Sequence, residues 1–390
     1  MIRAVSRYDG GAVQSAIYIA GKAEWPIVYE AWEAAARAKL DQGAFDYIAG
    51  AAGGEGTARE NLAAFERRLL RPRMLRGATD RDLSVEILGT RSESPVFLAP
   101  VGQLSTAHPD GEVAAARAAA ATGVPFVLSS ASTSNIETIA ETMGDATRWF
   151  QLYWVNDRDV AASFVARAQA SGYSAVVLTI DTGTLAWRPR DIANANLPFL
   201  HGHGCGNFFT DPAFLAKLDR TPDEDPLAAA ATMLATFPNL ALTWDDLAWL
   251  RERLDVPLLV KGVLTAEDAF LAREHGVDGI LVSNHGGRQV DGSISALDAL
   301  VDVRAALGPE YPLMLDGGIR RGADVVKALA LGADAVLVGR LYAYGLAVGG
   351  ADGVEAVVRQ LLAEVDLTMA LCGASSVADL DASLVTALGS

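Results

Sequence analysis

Eight short apolar runs recur through the middle of the chain, each closing on a polar residue or a glycine. They are Val96–Ala99, Phe126–Ser129, Trp149–Tyr153, Ala175–Ile180, Leu258–Lys261, Gly279–Ser283, Leu313–Asp316 and Ala335–Gly339. Between most of them lie Ala-rich stretches with helical spacing: Glu112–Ala121, Ile136–Met143, Val160–Ala170, Ala266–His275, Ala296–Leu307 and Ala323–Leu331. Strands alternating with helices at this spacing predict parallel βαβ units. Strands that are apolar almost throughout predict burial on both faces. The count predicts an α/β fold of the (β/α)8 TIM-barrel type, with an open doubly wound sheet as the rival arrangement of the same elements.

The rhythm breaks once. Between the fourth and fifth runs the chain makes an excursion of roughly 75 residues, 182–256, too long for an ordinary connection. It opens with Trp187-Arg188-Pro189-Arg190-Asp191 and continues through Phe199, Phe208 and Phe209. That aromatic content argues against plain disorder, and a position over the barrel mouth predicts a lid. The uncharged stretch Pro226–Trp244 within it must be weighed as a membrane span, but its Pro238-Asn239 break and Ala/Thr content argue against insertion. At the N-terminus, Asp9, Gln14 and Ser15 interrupt any apolar signal core behind Arg3 and Arg7. One unit is expected over 1–390: a helical extension at 1–90, the barrel at 91–350 with its lid at 182–256, and C-terminal helices at 351–390.

Composition narrows the chemistry. With 51% hydrophobic and 21% charged residues the 390-residue chain is not disordered, and its 37 glycines show no three-residue period. The 32 basic and 48 acidic residues give a net charge of −16, which makes nucleic acid and anionic membrane surfaces poor partners. An anionic small ligand must therefore be held by locally concentrated Arg and Lys. Two cysteines, Cys205 and Cys372, cannot build a disulfide framework or a zinc site, which fits a reducing cytoplasm. His201 and His203 are spaced like metal ligands but lack a nearby Cys or paired carboxylates, so no metal is expected. His108 and His275 read as surface or packing residues.

The polar residues at the ends of the runs fall at one place. They are Gly102, Ser129, Gln151 with Tyr153, Thr179 with Asp181, Lys261, Asn284 with His285, Asp316, and Gly339-Arg340. In a barrel these are the C-terminal strand ends, where active sites sit. Helix capping would account for Ser129, Thr179 or Asn284 singly, but not for the Lys, His and Arg together. Asp316-Gly317-Gly318-Ile319-Arg320 and Gly339-Arg340 follow the seventh and eighth strands, the usual phosphate-binding loop pair, and imply a phosphate-bearing cofactor or substrate. Ser283-Asn284-His285-Gly286-Gly287-Arg288-Gln289 sets an imidazole three residues from a guanidinium. An acid/base group beside a carboxylate clamp suits chemistry at the carbon next to a carboxylate.

The Ser283–Gln289 segment, the Asp316–Arg320 loop and the Asp181/Arg188 pair together resemble the FMN-dependent α-hydroxy-acid oxidases and dehydrogenases, over nearly the whole chain from about Tyr47. Within that family Tyr47–Gly50, Phe150–Tyr153, Gly183–Asp191, Asn196–Leu200 and Ala328–Gly332 are most similar to the lactate 2-monooxygenases. The resemblance implies FMN as cofactor, with His285 as base and Asp181 stabilising its imidazolium. It implies Arg188 and Arg288, helped by Tyr47, on the substrate carboxylate, and Tyr153 on the substrate oxygen. Lys261 is implied at the N1/O2 edge of the flavin, where its charge stabilises the anionic reduced ring. Pro100, Val101, Gly102, Ser129, Gln151, Thr179 and Ser283 are implied around the ring and ribityl chain, with Gly102 facing its reactive edge. Asp316, Gly317, Gly318, Arg320, Gly339 and Arg340 are implied at the ribityl and phosphate end.

No haem-binding segment precedes Tyr47 and the lid has no basic apolar anchor, which argues against a flavocytochrome and a quinone-linked membrane enzyme. Near Pro198-Phe199 the lid resembles the non-decarboxylating lactate oxidases less well. The expected protein oxidises a small L-2-hydroxy acid, foremost L-lactate, with oxygen as acceptor and further reaction to acetate, carbon dioxide and water. Release of the 2-oxo acid and peroxide is the runner-up. The resemblance also implies a homo-oligomer, tetramer or octamer. The rival from a different class is a phosphate-binding barrel without redox chemistry, which would not need His285, Asp181, Arg188 and Arg288 together.

Overall fold

Each apolar run becomes a strand whose alternate residues serve two cores. A computed structural model describes residues 8–388, so Arg3 and Arg7 lie outside the described residues. The strands are β1 (Val96–Leu98), β2 (Phe126–Ser129), β3 (Arg148–Tyr153), β4 (Val176–Thr179), β5 (Leu258–Val263), β6 (Gly279–Val282), β7 (Leu313–Leu315) and β8 (Ala335–Val338). They pair in parallel in chain order and close β8 onto β1, a (β/α)8 barrel and not an open sheet. Phe97, Val127, Trp149, Val177, Leu259, Leu281, Met314 and Leu337, one from each strand, fill the interior. Their neighbours, such as Leu98, Leu128, Phe150 and Leu178, belong to the core shared with the helices. Burial on both sides is why the strands read as continuous apolar runs. The hairpin Val85–Ile87/Thr90–Ser92 adds Ile87 to the interior cluster, and Trp149 Nε1 donates to Thr90 Oγ1 at 3.2 Å.

Four helices precede the barrel: α1 (Gly10–Ala20), α2 (Tyr29–Lys39), α3 (Gln42–Ala49) and α4 (Gly56–Glu66). The crossover helices are α5 (Gly111–Thr122), α6 (Ile136–Met143) and α7 (Arg158–Ala170), followed after the insert by α9 (Ala266–Glu274), α10 (Ala296–Leu307) and α11 (Gly322–Ala330). Side chains of Asn135, Thr265 and Ser295 accept the orphan N–H groups at the starts of α6, α9 and α10. After β8 a helix, α12 (Arg340–Cys372), runs through the expected boundary at 350 with a kink at Gly349-Gly350, where Gly350 has φ +59°. Beyond it the chain forms short turns and a strand, Val385–Ala387, that pairs antiparallel with Arg68–Leu70.

The insert is folded. Short helices at Pro189–Ala193, Pro198–His201, Gly206–Phe209 and Pro212–Leu215 lead into α8 (Pro226–Thr236), which takes up the uncharged stretch. Phe208 meets Phe164 of α7 edge-on at 4.8 Å and also Phe214 and Phe237. His203 Nδ1 lies 2.6 Å from Ser105 Oγ, and Gly204 N donates to Thr133 Oγ1, which ties the insert to the loops after β1 and β2. Among the described residues no helix is long and apolar enough to cross a membrane.

Candidate active site

The C-terminal strand ends, the α3 terminus and the insert enclose a cavity of about 300 Å³. His285, Lys261, Tyr153, Tyr47, Arg188 and Arg288 all line it, as do Pro100–Gly102, Asp316–Arg320, Gly339 and Arg340. Strand register sets part of this. Tyr153 and Thr179 stand side by side at the ends of β3 and β4 with Lys261 beside them in β5, because Tyr153 pairs with Thr179 and Thr179 with Lys261.

His285 Nδ1 lies 2.8 Å from Asp181 Oδ1. A carboxylate at Nδ1 accepts a hydrogen bond from the N–H there, which keeps the proton on Nδ1 and leaves Nε2 as the basic nitrogen. Nε2 is 3.4 Å from the Tyr153 hydroxyl. Thr182 Oγ1 donates to the same Asp181 oxygen at 2.8 Å. Lys261 Nζ donates to Ser283 Oγ at 2.9 Å and sits between Asp316 Oδ2 at 3.5 Å and Asp181 Oδ2 at 3.8 Å. Burial alone would raise the Asp181 carboxyl, but the His285 and Lys261 charges outweigh it and hold the group well below the usual carboxylate range. For His285 burial is the larger effect, so its pKa falls below the ordinary value although Asp181 pulls the other way. Burial raises the Tyr153 phenol, which stays protonated. A glycine at 262 is what lets Asp181 approach: a Cβ there would lie 2.6 Å from Asp181 Cβ, and Gly262 has φ +112°.

Four guanidinium groups line the same cavity in an acidic protein. Arg288 Nη1 donates to the carbonyls of Tyr47 at 2.6 Å and Gly50 at 2.9 Å, and its guanidinium lies 4.9 Å over the Tyr47 ring. Arg188 donates from Nε to the Arg288 carbonyl and from Nη2 to Gln289 Oε1, both at 3.0 Å. Burial and the neighbouring Arg288 pull Arg188 down to about 10. Arg340 is likewise lowered to about 10 by burial, Arg288 and Arg320. Cations that repel one another and bond mainly to neutral carbonyls leave a positive cavity that stabilises anions.

FMN requires room for a ring with polar edges, partners for a polyol, and an anion site, and the residues present fit. Buried atoms without a partner in the protein stand around the cavity: Gln103 Oε1, Asp316 Oδ1 and Arg320 Nε. Gly102 lines the cavity without a side chain, and a Cβ there would crowd the Ala131 carbonyl at 3.0 Å. Gly339 caps α12, whose first N–H groups lack helical partners and suit a phosphate.

Some expected contacts are arranged differently. Ser129, Gln151 and Thr179 form a buried ladder beneath the cavity, Ser129 Oγ donating to Gln151 Oε1 and Gln151 Nε2 to Thr179 Oγ1, each at 2.9 Å. Ser283 also lies beneath the lining, accepting from Lys261 and from the His285 N–H. The Arg340 side chain bonds the carbonyls of Ile48, Gly286 and Gly50, so it braces the α3 terminus against the His285 loop. Gln103 and Thr182, which line the cavity, and Asn61, whose amide bonds that of Asn284, are additions that the strand-end pattern does not single out. Among the described residues no cluster of His, Cys, Asp or Glu could hold a metal, and Cys205 and Cys372 are free and buried.

Comparison with known proteins places these features in context. The family described as FMN-dependent dehydrogenase matches residues 36–387. An L-lactate oxidase of Lysinibacillus sphaericus is 42% identical over 92% of this chain and 92% of its own length. The glycolate oxidase of Spinacia oleracea is 43% identical over 91% of this chain and 94% of its own. A crystal structure of mandelate oxidase superposes with a TM-score of 0.82 at 37% identity, covering 93% of this chain and 98% of that one.

Proposed function

The chain belongs to the FMN-dependent dehydrogenase family and oxidises an α-hydroxy acid with FMN as cofactor; within that chemistry we propose L-lactate as substrate, oxygen as acceptor and oxidative decarboxylation as the outcome. The observation that carries the reading is one cavity lined both by the His285, Arg188 and Arg288 set and by an uncharged wall from the insert. Leu185, Phe199, Leu234, Phe237 and Pro238 make that wall. The wall suits an apolar side chain. Phe237, 5.4 Å from Phe199 and 5.8 Å from Tyr153 between ring centres, keeps that side chain small.

Arg288 and Arg188 bind the substrate carboxylate, and Tyr153 donates to the substrate oxygen. Oxidation to the 2-oxo acid removes two electrons and two protons. His285 Nε2 takes a proton, and Asp181 on Nδ1 stabilises the imidazolium that forms. Bound FMN supplies the two-electron acceptor. The second proton would leave with the electron pair to FMN; Lys261 would stabilise the negative charge of the reduced ring, Gly102 would leave room beside it, and Arg320 with the α12 start would hold its phosphate. The dyad also depends on close packing. Gly262→Ala is expected to displace Asp181 and slow anaerobic flavin reduction about tenfold or more, and a normal rate in a well-folded variant would remove this packing from the mechanism.

Decarboxylation requires the 2-oxo acid and hydrogen peroxide to react before either escapes, so the lid must outlast that reaction. A packed insert with Phe199 buried supports retention. Release of pyruvate and peroxide is the second reading, favoured by relatives named L-lactate oxidase. Product analysis in air separates them. Replacing Pro198-Phe199-Leu200 by Gly-Ser-Gly is expected to raise the KM for L-lactate, since Phe199 is part of the wall, and to leave flavin reduction at saturating L-lactate nearly intact while pyruvate and peroxide appear at the expense of acetate. Acetate as the sole carbon product of that variant would defeat the lid's role, and its absence from the unmodified protein would leave the oxidase reading. The proposal includes a cytoplasmic location, supported by two unpaired buried cysteines, and a homo-oligomer, tetramer or octamer, checked by light scattering.

A further inference from the structure

We propose that Asn61, on helix α4 of the N-terminal extension, is a positioning residue for His285, acting through a buried amide pair with Asn284. The inference rests on the reading of His285 as the base. Its starting point is backbone conformation. His285, Gly286 and Gly287 are three consecutive residues with positive φ, +58°, +61° and +78°. Glycine adopts that region freely, whereas for a histidine it is uncommon and costs free energy that the surrounding structure must offset. The base therefore sits on a turn that depends on restraints from its surroundings.

The restraints come largely from outside the turn. Ser283 Oγ accepts the His285 N–H at 3.0 Å. Asn284 Oδ1 accepts the Gly287 N–H at 3.2 Å, and its Nδ2 donates to the Ile294 carbonyl at 3.0 Å. Asn284 is itself held by Asn61 in a reciprocal pair: Asn61 Nδ2 donates to Asn284 Oδ1 at 2.8 Å, and Asn284 Nδ2 donates to Asn61 Oδ1 at 2.7 Å. Asn61 Oδ1 also accepts the Ala296 N–H at 3.1 Å, at the start of α10. The two amides are 2% and 4% exposed, so water does not replace a bond that is lost. Close packing of α4 adds to this, since a Cβ on Gly287 would lie 2.6 Å from the Ala58 nitrogen. Asn61 is thus a buried donor and acceptor that fixes the residue before the base on one side and the helix after the turn on the other.

A competing role is visible in the same place. Asn61 also abuts the loop after β7, where a Cβ on Gly317 would meet its Nδ2 at 3.3 Å. A residue serving that loop would affect cofactor binding, and a residue serving the turn would affect the base. The test therefore measures both. Asn61→Ala, and Asn61→Ser as the milder change that keeps a donor and an acceptor, are compared with His285→Ala for FMN affinity, thermal stability, anaerobic reduction by L-lactate across pH, and imidazole titration by NMR in the protein without FMN. The expected result is FMN affinity within about threefold, a reduction rate at saturation lower by roughly 10- to 100-fold for Ala, a nearly unchanged KM, and partial recovery with Ser. Loosening the turn admits water to a base whose pKa burial depresses. The His285 titration and the acid limb of the rate then move to higher pH in Asn61→Ala, which a purely structural role would not produce. Loss of FMN with an unmoved titration would overturn the proposal in favour of the cofactor loop, and wild-type rates and pH profile in Asn61→Ala would overturn it outright. Unimpaired reduction in His285→Ala would instead overturn the base assignment on which it rests.

Discussion

Replacing His285 by Ala is expected to leave FMN bound and to slow anaerobic flavin reduction by L-lactate roughly 10²–10⁴-fold, the usual contribution of a positioned general base. The cavity still offers both substrate arginines and the phosphate end in that variant, so binding survives while proton removal fails. The pH dependence of the unmodified protein follows from the same geometry. A base works only when neutral, so the rate falls as the pH drops through the His285 pKa. Burial lowers that pKa more than Asp181 raises it, which puts the acid limb below the ordinary imidazole value of about 6.5. Asp181→Asn removes the raising influence, so its acid limb should move lower still while the rate falls, because the imidazolium loses its stabilising charge. Stopped-flow reduction across pH reads both effects. Near-normal reduction in His285→Ala, or an acid limb that rises in Asp181→Asn, would break the assignment.

Strand positions and the base are legible in the sequence for different reasons. Leu259 faces the interior and Val260 the helices, so the β5 run is apolar on both faces and needs no alternation to be recognised. His285 is legible because the glycines that permit its turn and Arg288 lie beside it in one segment. The Asn61–Asn284 pair joins positions 223 residues apart, and no local pattern marks an asparagine on a helix as half of a reciprocal amide pair. Arg340 shows the limit from the other side. Its place after β8 is legible, but its bonds to the Ile48, Gly50 and Gly286 carbonyls depend on how α3 and the His285 loop meet over the strand ends. The Ser129–Gln151–Thr179 ladder depends similarly on register, since Ser129 pairs with Gln151 across β2 and β3. In the insert the aromatic residues mark a packed segment, but partners such as Phe208 and Phe164 belong to elements far apart in the chain.

Arg288→Lys should raise the KM for L-lactate and lower the reduction rate, with kcat/KM falling about 10- to 100-fold although no charge is lost. The estimate follows from losing one charge-assisted hydrogen bond, about 1.5–3 kcal/mol, with each 1.36 kcal/mol a factor of ten. Arg288 uses Nη1 on the Tyr47 and Gly50 carbonyls, which fixes the plane of its fork and leaves other N–H groups for the substrate carboxylate. A lysine ammonium has three donors and no plane, and the same two carbonyls would compete for them. Arg188→Lys acts through a second route, because Arg188 holds the Arg288 carbonyl and Gln289. Its loss should therefore loosen the Arg288 segment and affect rate as well as affinity. The two effects should be less than additive when combined, as expected for residues that share partners. Reduction rates measured over a range of L-lactate concentrations for the two single variants and the double variant provide the cycle. Full activity in both lysine variants would mean that charge alone holds the substrate and that no planar carboxylate clamp exists.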